Sequence, residues 1–227
     1  MKYCVIIPAY NSAEYLPELV GRLKKVCDLS NVLVIDDGSQ DNTAKVAEEL
    51  GVEVISHKAN RGKGKALRTA FSAILNRDYE AIITIDADLQ HPPELAPKLI
   101  SALENGADFV VGNRMRNISK MPFERRMSNF LSTLATSLLA GRKLQDSQCG
   151  FRAIKRWVVE KAALYCQKYQ LESEMMIEAS RMGAKIEFVE IPTLYNGNKS
   201  YFHPIVDTAR FISFVLLYYP QRWFRKE

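Results

Sequence analysis

The sequence predicts an α/β fold built on a mostly parallel sheet, and three observations predict it. Short apolar runs rich in β-branched residues alternate with stretches of helical periodicity through the first half of the chain. The runs are continuous rather than alternating, as strands covered on both faces require. Polar and acidic residues gather just after the runs, where open α/β sheets bind ligands.

In chain order, Tyr3-Cys4-Val5-Ile6-Ile7 reads as a buried strand, with a helix near residues 13–26 after it. Val32-Leu33-Val34-Ile35 is the next strand and ends on Asp36-Asp37-Gly38. Residues 43–50 read as helix and 52–56 as strand. Residues 64–75 are helical, with Leu67, Phe71 and Ile74 on one face. The strand at 81–85 ends on Asp86-Ala87-Asp88, and helix 92–104 leads to strand 108–111. The second half is less regular. A loop is expected at 113–122, a helix at 125–139 and a turn-rich link at 146–152 running into a short strand. Helix 172–182, strand 185–191, a polar loop at 193–203 and an apolar helix at 205–219 follow, with a basic-aromatic tail at 221–227. With no internal repeat and no linker, residues 1–204 read as one domain and 205–227 as its C-terminal appendage.

Composition bounds the function. The 227 residues are 47% apolar and 25% charged, which is ordinary for a globular chain and excludes disorder. The 31 Lys+Arg exceed the 26 Asp+Glu, for a formal charge of +5. That mild excess suits a phosphate-bearing substrate or an anionic membrane surface, and lacks the basic stripe that nucleic acid requires. Four cysteines form no CxxC and three histidines no HExxH, which argues against zinc and a disulfide framework and for a reducing, cytoplasmic setting. The chain opens directly on a strand, which argues against a signal peptide, and no apolar run approaches the ~18–20 residues of a spanning helix.

Both common nucleotide loops fail. Gly62-Lys63-Gly64 begins like GxGxxG, but Leu67 holds the third glycine's place, and His57 stands where GxxxxGK[ST] needs its first. The segment Asn60-Arg61-Gly62-Lys63-Gly64-Lys65 still sets cations and backbone N–H groups before a helix, and so reads either as a diphosphate cradle or as a solvated basic loop. Asp86-Ala87-Asp88-Leu89-Gln90 is the sharpest signal. Two carboxylates two residues apart at a strand end can meet one hard cation, Mg²⁺ or Mn²⁺, with Gln90 or His91 as a further ligand or substrate contact. The plain alternative is a turn with a helix cap before Pro92-Pro93-Glu94. At Asp36-Asp37-Gly38-Ser39, a carboxylate can accept from a base N–H or a ribose hydroxyl, while Asp41 or Thr43 can cap the next helix.

Taken together and in order, Ile7-Pro8-Ala9-Tyr10-Asn11, the Asp36–Ser39 segment, Arg61-Gly62-Lys63-Gly64, the Asp86–Gln90 segment, Gly112-Asn113-Arg114, Asp146-Ser147-Gln148-Cys149-Gly150-Phe151-Arg152 and Glu172-Ser173-Glu174 resemble the family 2 glycosyltransferases. Within them the chain looks most like the polyprenyl-phosphate sugar transferases, over roughly residues 2–204. The resemblance implies a Rossmann-like nucleotide-sugar-binding fold of the GT-A type. It implies that Pro8, Tyr10, Asp36 and Asp37 face the nucleotide, with Arg61 and Lys63 near the diphosphate. It implies that Asp86 and Asp88, with Gln90, hold the metal, and that Arg114 and Arg125 face the acceptor phosphate. Two departures bear on the donor. Ser12 stands where mannose synthases have Glu, and Lys199 is the only cation in the late loop where they have Arg. Both count against a GDP-mannose donor and lean toward UDP-glucose.

The expected reaction is inverting transfer of a sugar from a UDP- or GDP-linked donor to a polyprenyl phosphate. A phosphate monoester with a second pKa near ~6 is largely dianionic at neutral pH and needs no general base. A hydroxyl acceptor on a glycan is the alternative and would need one. Glu174 is then the expected base, because Glu172 and Glu174 are two apart and face different ways on a helix. A sugar-phosphate nucleotidyltransferase lacks its glycine-rich loop here, and a non-catalytic binder is disfavoured by the intact Asp86 and Asp88. Peripheral membrane contact is expected from Arg222, Trp223, Phe224, Arg225 and Lys226 beyond the apolar helix, and from residues 130–140 behind Arg125-Arg126.

Overall fold

The computed structural model describes residues 1–115, 121, 123–192 and 213–215. Its strands are β1 (Tyr3–Ala9), β2 (Val32–Asp36), β3 (Glu53–Ser56), β4 (Ala81–Thr84), β5 (Phe109–Asn113), β6 (Arg152–Lys155) and β7 (Ile186–Glu190). They form one sheet in the order β3-β2-β1-β4-β6-β5-β7. The pairs β1–β2, β2–β3, β1–β4 and β5–β7 are parallel, and only β6 runs antiparallel to its neighbours β4 and β5. This is the mostly parallel α/β sheet that the apolar runs predict. The helices are α1 (Leu16–Leu23), α2 (Thr43–Glu49), α3 (Lys63–Ile74), α4 (Ala96–Glu104), α5 (Phe123–Ala140), α6 (Arg156–Lys161) and α7 (Gln170–Arg181).

The sequence explains the layers. β2, β4 and β5 are buried along their whole length, which the unbroken runs of Val, Ile and Leu allow. α3 lays Leu67, Ala70, Phe71 and Ile74, spaced three and four apart, against β1 and β2. α4 does the same with Ala96, Leu99, Ile100 and Leu103 against β5 and β6. Three boundaries depart from expectation. The helix expected at 13–26 is shorter, starting at Leu16 with Pro17 in its first turn. The helix expected at 92–104 is split into a 3-10 turn, Pro93–Leu95, and α4, because Pro97 lacks an N–H and restricts the residue before it. Helix α6 was not expected; it follows β6 without a Gly or Pro break and is held by Val158 and Val159 packed into the core.

Two features of the topology place the site. From β1 the chain winds outward through β2 to β3, then crosses back so that β4 pairs with the other side of β1. The carboxyl ends of β1 and β4 therefore flank a topological switch point, where such sheets bind ligands. β6 begins where β4 and β5 end, because it runs the opposite way; Arg152 is opposite both Thr84 and Val111. The turn at residues 146–151 thus arrives at the same edge as Asp86. The late loop with Lys199, the tail at 221–227 and helix 205–219 apart from 213–215 lie outside the described residues, as do 116–120 and 122 of the loop at 113–122.

Candidate active site

The loop after β4 is shaped by its backbone. Ile85 N donates to Ile6 O at 3.0 Å and continues the parallel pairing up to Asp86. Leu89 then adopts a left-handed conformation, φ 59°, rare for a bulky residue, and Gln90 N donates to Asp88 Oδ1 at 3.0 Å. Thr84 Oγ1 donates to Gly150 O at 2.9 Å and fastens the 146–151 turn over the strand end. Into this corner α3 sends Lys63, whose Nζ lies 2.6 Å from Asp86 Oδ1 and 2.8 Å from Glu172 Oε1. His91 is buried and stacked on Phe151, with Nε2 3.8 Å from Asp86 Oδ2 and no hydrogen-bond partner for Nδ1 among the described residues.

The two carboxylates of the loop are driven apart. Burial pushes Asp86 up, but the Lys63 ammonium and His91 outweigh it and hold its pKa far below the usual range. Asp88 is pushed up, by burial and then by the negative charge of Asp86. Burial acts to lower Lys63, and Asp86 and Glu172 more than offset it, so the ammonium stays charged.

At the neighbouring strand ends, the loops after β1 and β2 interlock. Asn11 N donates to Ser39 Oγ at 2.9 Å, Gln40 N to Asn11 Oδ1 at 2.8 Å, and Ser12 N to Thr43 Oγ1 at 2.8 Å. Asp41 accepts from Thr43 N at 3.0 Å and from Ala13 N at 3.2 Å, the local structural role open to it in the sequence. Pro8 and Tyr10 are half-buried at the end of β1, and Asp36 ends β2 with Oδ1 accepting from Ser39 N at 3.1 Å. Asp37 stands directly after β2. Its Oδ1 accepts from Arg61 N at 3.0 Å and meets His57 Nδ1 at 2.7 Å, and its Oδ2 accepts from Gly62 N at 2.6 Å. Both oxygens fasten the start of α3, so this carboxylate shapes the basic loop. The Arg61 side chain itself is exposed.

Among the residues expected at the acceptor, one is confirmed in neither role nor contact and one is turned away. Arg114 is buried against Asp146 in a two-pronged pair, Nε to Oδ2 at 2.9 Å and Nη2 to Oδ1 at 3.1 Å. Asp146 thus orients the guanidinium and balances its charge. Glu174, the expected acceptor-facing glutamate, points the other way: its Oε2 accepts from Tyr165 N at 3.0 Å and Cys166 N at 2.9 Å. Glu172 is the one that reaches the Asp86 corner. The helical phase was right and the choice between its two faces was not. Arg125 lies half-buried in the first turn of α5.

The structure therefore gathers Lys63, Asp86 and Asp88, with Pro8, Tyr10, Asp36 and Arg61 at the neighbouring strand ends. It adds residues the sequence reading gave no role. Arg152, fully buried, donates to Cys149 O at 2.7 Å, Glu172 O at 2.7 Å and Ser147 O at 2.8 Å, tying the turn to α7. Its place at the end of the Asp146–Arg152 motif was its sequence signal. Among the described residues no group of three or more His, Cys, Asp or Glu is placed to hold a metal. Two carboxylates suit Mg²⁺ or Mn²⁺ bound together with a diphosphate, since such ions keep much of their coordination for phosphate and water. A buried ammonium already lies against Asp86, so the corner tolerates positive charge, and the donor set fits the ion.

Comparison with known proteins gives one family from two directions and the same fold from a third. The family model described as Glycosyl transferase family 2 matches residues 4–163. The polyprenol monophosphomannose synthase of Mycolicibacterium smegmatis is 32% identical over 203 residues, covering 84% of this chain and 76% of that one. The UDP-N-acetylglucosamine–dolichyl-phosphate N-acetylglucosaminyltransferase of Methanococcus voltae is 31% identical over 214 residues, covering 84% and 85%. In fold, the glucosyl-3-phosphoglycerate synthase of Mycobacterium tuberculosis in complex with UDP is similar at a TM-score of 0.76 and 21% identity, covering 95% of this chain and 79% of that one. The same enzyme with Mn²⁺ and UDP-glucose aligns at a TM-score of 0.74.

Proposed function

The chain belongs to glycosyl transferase family 2 and is a glycosyltransferase, and on that premise we propose that it transfers a sugar, with inversion, from a UDP- or GDP-linked donor to a polyprenyl phosphate. One observation carries the acceptor class. Both α7 glutamates are committed, Glu172 to Lys63 and Glu174 to the N–H groups of Tyr165 and Cys166. A hydroxyl acceptor needs a base at that position, whereas a phosphate monoester with a second pKa near ~6 arrives ionised.

Pro8, Tyr10 and Asp36 line the nucleotide side, and Arg61 and Lys63 approach the diphosphate. Asp86 and Asp88, with Gln90, would hold Mg²⁺ or Mn²⁺, and such an ion would supply positive charge against that developing on the departing nucleoside diphosphate. Arg114, with Nε and Nη2 fixed by Asp146, offers Nη1 to the acceptor phosphate, and Arg125 approaches it from α5. Lys199 is assigned to the donor on the family resemblance alone. The acceptor oxygen attacks the anomeric carbon on the face opposite the departing diphosphate, so a single displacement inverts it.

The acceptor's lipid places the enzyme at the cytoplasmic membrane face. Among the described residues no helix is long and apolar enough to cross a membrane. Helix α5 instead exposes Phe123, Met127, Phe130, Leu131, Leu134 and Leu138, spaced along one side. Arg125 and Arg126 stand at its start, and exposed Arg142 and Lys143 lie just past its end. An apolar stripe between cations suits an anionic lipid surface. Turnover of UDP- and GDP-sugars with a short-chain polyprenyl phosphate and Mn²⁺ tests the reading; transfer to a glycan hydroxyl and not to the lipid phosphate would overturn it.

A further inference from the structure

We propose that Lys63 is a built-in counter-ion that occupies the metal corner until a nucleoside diphosphate draws it away, so that the protein takes up the divalent cation together with the nucleotide and not before it. The proposal rests on the assignment of Asp86 and Asp88 to the metal. The Lys63 ammonium lies 2.6 Å from Asp86 Oδ1 and 2.8 Å from Glu172 Oε1, and its side chain is only 17% exposed. A free dication approaching Asp86 meets a fixed positive charge on the oxygen it needs, in surroundings where charges interact more strongly than in water. Two carboxylates and the Gln90 amide, with no further His, Cys, Asp or Glu among the described residues placed to join them, hold it weakly against that repulsion.

A diphosphate changes the balance on both sides. It supplies oxygens to the metal, and it offers Lys63 an anionic partner in place of Asp86. The four-carbon stem of lysine lets the ammonium swing between partners while the backbone stays still. The backbone here is firmly held: Gly62 N is bonded to Asp37, and Lys65 N donates to both Gly62 O and Gln167 O, at 2.8 and 2.9 Å. Glu172, 5% exposed and anchored through its own carbonyl to Arg152, remains the pivot in both states. When the nucleotide departs, Lys63 returns to Asp86 and expels the cation.

The test is Mn²⁺ binding by the full chain, read from the electron paramagnetic resonance signal of free Mn²⁺, alone and with UDP or GDP. Wild type should bind Mn²⁺ much more tightly with nucleotide than without. Lys63→Met should bind Mn²⁺ alone ~10-fold tighter than wild type, with the nucleotide enhancement reduced by a similar factor, while Lys63→Arg should behave as wild type. Wild type that binds Mn²⁺ equally with and without nucleotide overturns the proposal even if Lys63→Met fails to fold. Mn²⁺ binding that is lost in Asp88→Asn yet unchanged in a folded Lys63→Met leaves the metal assignment standing and overturns this proposal alone. No Mn²⁺ binding by wild type with either nucleotide overturns both.

Discussion

Gly150 and Asp86 are packed so closely that a Cβ on Gly150 would lie 2.2 Å from Asp86 Oδ2 and 2.5 Å from Oδ1. The carboxylate therefore sits where it does only because the turn before β6 carries no side chain at that point. Gly150→Ala should displace Asp86 and cost about 1–3 kcal/mol of stability by overpacking. Mn²⁺–nucleotide binding should fall far more than thermal stability does. Calorimetric melting and Mn²⁺ titration on the same sample check this, and unchanged Mn²⁺ affinity would show that Asp86 is not a ligand.

Asp88→Asn should leave the fold intact, because a half-buried carboxylate pushed up by burial and by Asp86 stabilises little. Turnover should drop by orders of magnitude, since a neutral amide is a poor partner for a cation on a diphosphate. Full turnover by this variant, or by wild type in a chelator, removes the metal from the reaction.

The two α7 glutamates should separate cleanly. Glu174→Gln weakens the seat of Tyr165 and Cys166, whose loop lies on the start of α3: a Cβ on Gly64 would meet Lys168 O at 2.6 Å. Its main effect should be a stability loss of about 1–3 kcal/mol. Glu172→Gln frees Lys63 from its pivot and should act chiefly on donor KM and kcat. Urea melts and steady-state kinetics on both variants decide it; a catalytically dead, stably folded Glu174→Gln would restore the hydroxyl-acceptor reading.

That pair also shows what the sequence could carry. The strands and the order of the loops were legible because continuous Val/Ile runs leave few alternatives to a covered sheet, and each motif follows its strand directly. Helical spacing told that Glu172 and Glu174 diverge. It could not tell which faced the site, because that depends on residues 162–169 packing on the start of α3, far away in the chain. Arg114 was legible as a functional cation, but Asp146, its partner 32 residues away, became visible only once β6 folded back between β4 and β5. Asp37 was legible as a carboxylate at a strand end, but nothing local reveals that Arg61 N and Gly62 N bond to it.

Replacing Leu134 and Leu138 on α5 with Glu should abolish sedimentation with anionic vesicles at low salt while leaving nucleotide binding unchanged. The two side chains are 48% and 75% exposed, so the fold should tolerate the change. Wild type that fails to sediment with such vesicles refutes the membrane docking.

Stability should report Asp108 at acid pH. Burial pushes this carboxyl up, but Lys185 N, Lys155 Nζ and Trp157 Nε1, at 3.0, 3.0 and 3.3 Å, outweigh it and lower its pKa. A carboxyl lowered on folding stabilises the native state above its unfolded pKa of about 4, and that contribution fades as the pH falls toward the folded value. Asp108→Asn should thus cost about 1–2 kcal/mol between pH 5 and 7, with the gap to wild type narrowing below about pH 4. Urea titrations across that range measure it, and a gap that widens on acidification contradicts the assignment.

The reversed direction of β6 has a consequence for how this architecture can be varied. Residues 114–151 leave the sheet at the end of β5 and re-enter one strand over, where Val111 and Arg152 are register partners. The excursion has both ends pinned side by side, and the cost of closing such a loop grows only slowly with its length. The part of it before the 146–151 turn behaves as a cassette: it can be lengthened or exchanged while the loops after β1, β2 and β4 keep their places. On the proposed roles, the donor side is the fixed part of the scaffold and the acceptor side the interchangeable one.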